Sequence, residues 1–185
     1  ASFKKAEKMG YDAVVVAGVD CGGHSNTKDI GTITAIRIAK EATSLPVIAA
    51  GGIIDGLTVQ IAGILGAEGV YVGTRFVASK ECTVAQVTKD KMVELTTDDL
   101  MQVEGIFGPI MSLPTPSIKK AHELMEESHG KNALEITNTY GGGYRTGMLL
   151  GDFENGLLDV SAAIGQIKSI LSVQEIMDEF AKGME

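Results

Sequence analysis

His24 closes the run Asp20-Cys21-Gly22-Gly23-His24, a histidine set behind two glycines and an acid. An imidazole can hold or move a proton near neutral pH, and bare glycine backbone lets a ligand lie against the main chain. Two further small clusters follow, Gly51-Gly52 and Gly73-Thr74. Without side chains, backbone N–H groups can approach an anion closely. Gly51-Gly52 leads toward a helix N-terminus, whose partial positive charge favours phosphate, and Thr74 adds a hydroxyl. The same glycines could serve tight turns alone. His24 could be a turn histidine bonded to a neighbouring carbonyl, and Asp20 could either meet a polar cofactor ring or cap its own turn. Arg75 could offset phosphate charge, but pairing with an outer carboxylate is the preferred reading. No cation stands near Cys21 to make it a thiolate, so it is not read as a nucleophile.

Other chemistries find no support. No Gly-Lys-Ser/Thr follows the glycines, as a Walker A loop needs, and GGIIDG lacks the dinucleotide-binding spacing. There is no Cys/His/Asp cluster at metal-ligand spacing, no nucleophile elbow and no paired carboxylates. No metal is therefore expected. His122 and His129 lie in a strongly charged helical stretch and read as solvated.

The elements that must position these residues alternate. YDAVVVAGVD (11–20), LPVIAAGGI (45–53) and GAEGVYVGTRF (66–76) are short apolar runs, read as strands of a parallel sheet buried on both faces. Between them, Ile33, Ile36, Ala39 and Ala42 fall at helical spacing, as do Val59, Ala62, Ile64 and Leu65, with Asp55 as a cap. Phe3, Ala6 and Met9 mark one face of an opening helix that ends at Gly10. Repeated αβ units put all strand C-termini on one edge, where ligands bind in such folds. Each chemical cluster above directly follows a strand.

Past residue 85 helix punctuation dominates. Thr96 and Asp99 frame a short helix, and Thr115-Pro116 opens another that Gly130 ends. NTYGGGYRTG (138–147) reads as a loop, 157–171 as an apolar helix, and Ser172 with Glu175 as a capping box.

The chain has 185 residues and a net charge of −8, with 23 glycines and two cysteines. Acidity without a basic block argues against nucleic acid, and no apolar run is long enough for a transmembrane helix. Two cysteines make no disulfide framework, and no secretory signal opens the chain, so a cytoplasmic setting is expected. A small-molecule substrate is the expected partner, and a homodimer the oligomer allowed for.

Three blocks, DAVVVAGVDCGGH, PVIAAGGIIDG and GAEGVYVGTRFVASKE, resemble the 2-nitropropane dioxygenase-like flavoproteins, a family of nitronate monooxygenases and flavin-type enoyl-acyl-carrier-protein reductases. The resemblance covers residues 10–82 and, more loosely, 145–180. It implies a TIM (β/α)8 barrel that binds FMN. Here the expected content is its C-terminal part: about three βα units in 1–85, a small helical domain as insertion or lid in 86–156, and closing helices in 157–185. Three strands cannot close a barrel of about 250 residues, so the chain is expected to be part of a longer flavoprotein. By resemblance His24 is the active-site histidine, Asp20 an acid near the flavin, and Gly22 and Gly23 the backbone against its ring. Gly51, Gly52, Gly73 and Thr74 match the FMN phosphate loops. Cys21, Ser25-Asn26 and the segment 159–163 depart from the family pattern, the last replacing an Ala-Gly-Gln expected near the flavin edge. The implied activity is oxidation of alkyl nitronates with dioxygen. Its alternatives are NAD(P)H-dependent enoyl-thioester reduction, a non-catalytic flavin-binding module, or a sugar-phosphate barrel.

Overall fold

The computed structural model describes residues 2–25 and 28–184. Asn26, one of the departures noted above, lies outside them. The chain opens with α1 (Ser2–Lys8), which ends before Gly10 at φ +78°. There follow β1 (Val14–Ala17), the two-residue β2 (Gly23–His24), α2 (Thr32–Ala42), β3 (Val47–Ala50), α3 (Gly56–Ile64), β4 (Gly69–Tyr71) and the single turn α4 (Thr74–Val77). The strands β1, β3 and β4 form the expected parallel sheet, in that order, with Val16 opposite Ala49 and Ala49 opposite Val70. The sheet is open: among the described residues no barrel closes.

The helices cover one face of this sheet. Val14, Val16, Val47 and Ala49 pack there against Ile36 and Ala39 of α2 and Val59 and Ala62 of α3. The other face is different. Val15 is 56% and Tyr71 66% exposed, so β1 is buried on alternate residues rather than on both sides. The expected helix faces also shift. Ile33 is exposed because α2 buries the stripe Thr32, Ile36, Ala39, about 100° away, and Ile64 because α3 buries Val59 and Ala62, on nearly the opposite side of that helix. Met9 likewise points outward, while Phe3 and Ala6 reach the core.

The second half departs further from the helical reading. After α5 (Gln86–Glu94) and the expected Thr96–Asp99 capping box, β5 (Met101–Gly105) and β6 (Gly108–Ser112) make an antiparallel hairpin. Its signal is a short period of two: Val103 and Gly105 point in, Gln102 and Glu104 out, and Gly108 turns the chain at φ +95°. β2 adds to β6, so the segments before and after residue 85 share a sheet. α6 (Pro116–Ser128) is capped by Thr115 as expected, with His129 and Gly130 both left-handed at its end. α7 (Ala133–Tyr140) and a π-helical turn (Arg145–Leu149) occupy most of the expected glycine loop.

Residues 157–171 are not a helix. The stretch 157–161 is extended and lies along β6: Leu113 N–H donates to Leu158 O (2.9 Å), and Asp159 bridges Ser112. A 3₁₀ turn (Ala162–Gln166) follows. Leu157, Leu158 and Val160 are fully buried, Leu158 and Val160 in a core with Met92 and Ile164, Leu157 in another with Val103 and Ile136. Because the segment is buried on several sides at once, its apolar spacing does not mark a helix.

The chain ends in α8 (Val173–Lys182), which buries Ile176 and Phe180 under the parallel sheet. Its capping box is complete: Ser172 N–H and Oγ each donate to Glu175 Oε2 at 2.7 Å, and Lys80 Nζ adds a third donor at 3.0 Å. Those bonds, the backbone one first, hold Glu175 down at about 2 against the ordinary 4.5. A depressed carboxylate stabilises the fold above its unfolded value and loses that effect as pH falls through its folded value. Acid melting curves should therefore show Glu175→Gln and the native protein converging as pH drops from 4.5 toward about 2, with the native protein more stable above that window. Ser172→Ala should cost about 1 kcal/mol at neutral pH, read by thermal melting.

Candidate functional site

The C-terminal ends of β1, β3 and β4 open on one cavity of about 400 Å³. Seven of the eight residues expected at the site line it: Gly22, Gly23, His24, Gly51, Gly52, Gly73 and Thr74. The eighth, Asp20, does not. Its Oδ2 accepts from Thr32 N–H and from Thr32 Oγ1, both at 2.8 Å, and it lines a second cavity with Thr32, beyond Gly51-Gly52. Gly31 at the N-cap of α2 has no side chain to offer, and the Asp20 carboxylate caps the helix instead. The structure thus bears out a capping role for Asp20 and does not set its carboxylate at the first cavity. Its contribution to the first cavity is through the backbone: Asp20 O accepts from Ser161 Oγ (2.6 Å) and Ala162 N–H (3.1 Å), which ties the β1 loop to the 157–161 segment.

Gly51 and Gly52 take φ +96° and +70°, values that only glycine adopts readily. A Cβ at Gly51 would also stand 2.9 Å from Thr32 Oγ1 and 3.0 Å from Cys21 N. Gly73 is the opposite case. A Cβ there would meet nothing within 4 Å, so the protein itself does not require glycine; the space beside it is open. α4 begins at once after it, with no side-chain cap. Thr74 Oγ1 accepts from Ser161 N–H at 2.9 Å and keeps its own proton to donate.

The expected phosphate partner at α3 is corrected. That helix begins at Gly56, and the Asp55 carboxylate already takes Thr58 N–H. Its end faces a separate cleft beside Arg75. Arg75 is buried and donates from Nη1 to Ser169 O at 3.0 Å, where an outer carboxylate had been expected; Glu179 acts on it only at a distance. Among the described residues no lysine or arginine lines the first cavity, and no group of three or more His, Cys, Asp or Glu could hold a metal ion.

His24 is exposed at the cavity mouth. The short pairing of β2 with β6 fixes its backbone, and its ring meets Phe107 edge-on at 5.7 Å. Burial, and behind it the Asp20 charge, pushes the Cys21 thiol up, so Cys21 stays a thiol as the sequence indicated.

Among the wall residues not singled out from sequence as site residues are Tyr144, Asp159 and Ser161. Asp159 is 8% exposed, and neither of its carboxylate oxygens has a hydrogen-bond partner. Burial raises its pKa; the nearby Tyr144 and Ser112 hydroxyls and His24 oppose this without reaching hydrogen-bond geometry. Burial and then the adjoining Asp159 push Tyr144 up as well. A signal for Asp159 was available, since it is the only charged residue between Glu154 and Lys168.

The family model for nitronate monooxygenase matches residues 1–183. This chain belongs to the nitronate monooxygenase family. A probable nitronate monooxygenase of Staphylococcus aureus (strain JH9) is 34% identical over 112 residues, which is 56% of this chain and 32% of that protein. FabK from Thermotoga maritima superposes with a TM-score of 0.87 at 34% identity, over 97% of this chain and 56% of that one. The nitroalkane oxidase of Streptomyces ansochromogenes shares the fold, with a TM-score of 0.74 at 22% identity over 98% of this chain and 55% of that one. The matched chain spans about half the length of these solved relatives and about a third of the curated one.

Proposed function

We propose that this family member contributes the phosphate-binding and histidine-bearing wall of an FMN-dependent oxidoreductase that converts alkyl nitronates and dioxygen to a carbonyl product and nitrite. The observation that carries this reading is the convergence of three strand ends, Gly22-Gly23-His24, Gly51-Gly52 and Gly73-Thr74, on one cavity. The three αβ units are read as part of a (β/α)8 barrel, whose ligands sit at that edge. The helical and hairpin region 86–156 is read as its insertion, with 157–185 closing it.

The residues fit FMN. The open space beside Gly73 and the uncapped start of α4 suit a phosphate, with the Thr74 hydroxyl as a further donor. The absence of cations from the wall leaves backbone N–H groups as the anion's partners. Gly23 is left-handed, and a Cβ placed there would meet nothing within 4 Å, which leaves room for a flat ring against the chain. FMN, when bound, supplies the electron-accepting chemistry that no side chain here possesses. His24 holds the substrate at the mouth and moves a proton at an imidazole nitrogen, with its ring orientation set by Phe107.

Mixing the purified flavoprotein with propionate-3-nitronate in the absence of oxygen should bleach the flavin band; an unchanged spectrum would contradict the reading. A second reading, reduction of an enoyl thioester by NAD(P)H, is favoured by the higher identity to FabK than to the nitroalkane oxidase. NADH consumption that depends on crotonyl thioester, without bleaching by the nitronate, would select it.

A further inference from the structure

Among the described residues, the Asp159 carboxyl is the one polar side chain of the cavity wall that is more than nine-tenths buried and lacks a hydrogen-bond partner. Leu158 and Val160 turn into the core, so in this extended segment Asp159 projects the other way, into the cavity. The position is rigid. Its backbone bridges Ser112, and the adjoining Ser161 is bonded to both Thr74 and Asp20.

A buried carboxylate with no donor is expensive, and among the described residues no donor reaches Asp159 in hydrogen-bond geometry, the Tyr144 and Ser112 hydroxyls lying near it without bonding. The Ser112 hydroxyl is spent on Leu158 O at 2.9 Å. Tyr144, before the π-helical turn, and His24, on β2, act on Asp159 electrostatically, and Cys21 in the β1 loop and Thr74 on α4 share its cavity wall. Asp20, the nearest other carboxylate in sequence to that loop, is engaged by Thr32. The least costly form is the neutral acid, which carries an O–H donor into an uncharged cavity. Beside it stand the Tyr144 hydroxyl and the His24 ring. Three donors around one space, with no lysine or arginine, suit a small ligand rich in acceptor oxygens. A buried acid kept neutral to donate to an oxyanion is an established catalytic device elsewhere.

We propose that Asp159 is a substrate-binding residue whose carboxyl hydroxyl donates a hydrogen bond to an oxyanion of the bound substrate, and so selects anionic over cationic ligands. The inference rests on the cavity being the substrate site, as proposed above, but its test does not need a flavin.

Two measurements on the purified full chain decide it. The infrared spectrum at neutral pH should contain the carbonyl stretch of a neutral carboxyl that Asp159→Asn removes and that shifts when propionate is added. Calorimetric titration with propionate, an unreactive oxyanion, should give a Kd weakened roughly ten- to a hundredfold in Asp159→Leu. Asp159→Asn, which keeps a donor, should stay much closer to the native value. Thermal melts show whether each variant is folded, and if Asp159→Leu is not, the infrared band and the asparagine variant still decide. A missing band, no propionate binding by the native chain, equal affinity in Asp159→Leu, or a preference for propylamine over propionate would overturn the proposal. If the infrared and propionate results hold but no FMN is retained, the oxyanion site stands and the flavin reading fails.

Discussion

Gly73→Val should leave the fold intact and still weaken FMN binding by roughly tenfold or more. The backbone there, φ −110° and ψ −78°, has the negative φ of L-residues at the edge of the helical region, and the added side chain meets no protein atom within 4 Å of its Cβ. Its methyl groups would instead occupy the space that a phosphate needs beside the start of α4. Thermal melting should show a folded protein that loses less stability than Gly51→Ala, and quenching of FMN fluorescence should show the lost affinity. Gly51→Ala is the informative contrast. There the left-handed backbone and the contact with Cys21 N at 3.0 Å strain the folded chain, by about 1–3 kcal/mol, so stability and binding should fall together. The two variants thus separate a glycine kept for a ligand from one kept for the fold.

Asp20→Ala should lower thermal stability by several degrees. It removes the acceptor of Thr32 N–H, a buried donor at the first turn of α2, and unpairs the start of a helix that has no other cap. An unsatisfied buried donor costs about 1–3 kcal/mol, and in a domain of this size each kcal/mol moves Tm by about 2–4 °C. Asp20→Asn keeps an acceptor and loses the charge, so its cost should be smaller. If Asp20 instead contacted the flavin, Asp20→Ala would leave Tm unchanged and alter the flavin spectrum alone.

The parallel sheet was legible because three β-branched runs, each closed by glycine, leave few alternatives. The hairpin at residues 101–112 was not, since Gly105, Gly108 and Pro109 interrupt a pattern only five residues long on each side. The segment 157–161 misled for a physical reason. It is packed between cores on more than one side, so its apolar run carries no period that distinguishes strand from helix. Within the site, the strand-end glycines and His24 could be read from spacing because their chemistry is local. Asp159 and Ser161 were set near the flavin edge only by resemblance and given no role, because they reach the cavity from about 140 residues away in sequence, through long-range pairing with β6 and the β1 loop. Asp20 could be read as a cap but not paired with the helix it caps, because its partner, Thr32, is 12 residues distant, and because the N-cap it replaces is a glycine.

The proposal that these glycines form a phosphate cradle is tested most directly by titrating the purified protein with FMN and with riboflavin, which has the same ring and no phosphate. FMN should bind roughly tenfold tighter or more, and Gly73→Val should erase most of the difference. Equal affinities for the two, or a difference that survives Gly73→Val undiminished, would contradict it.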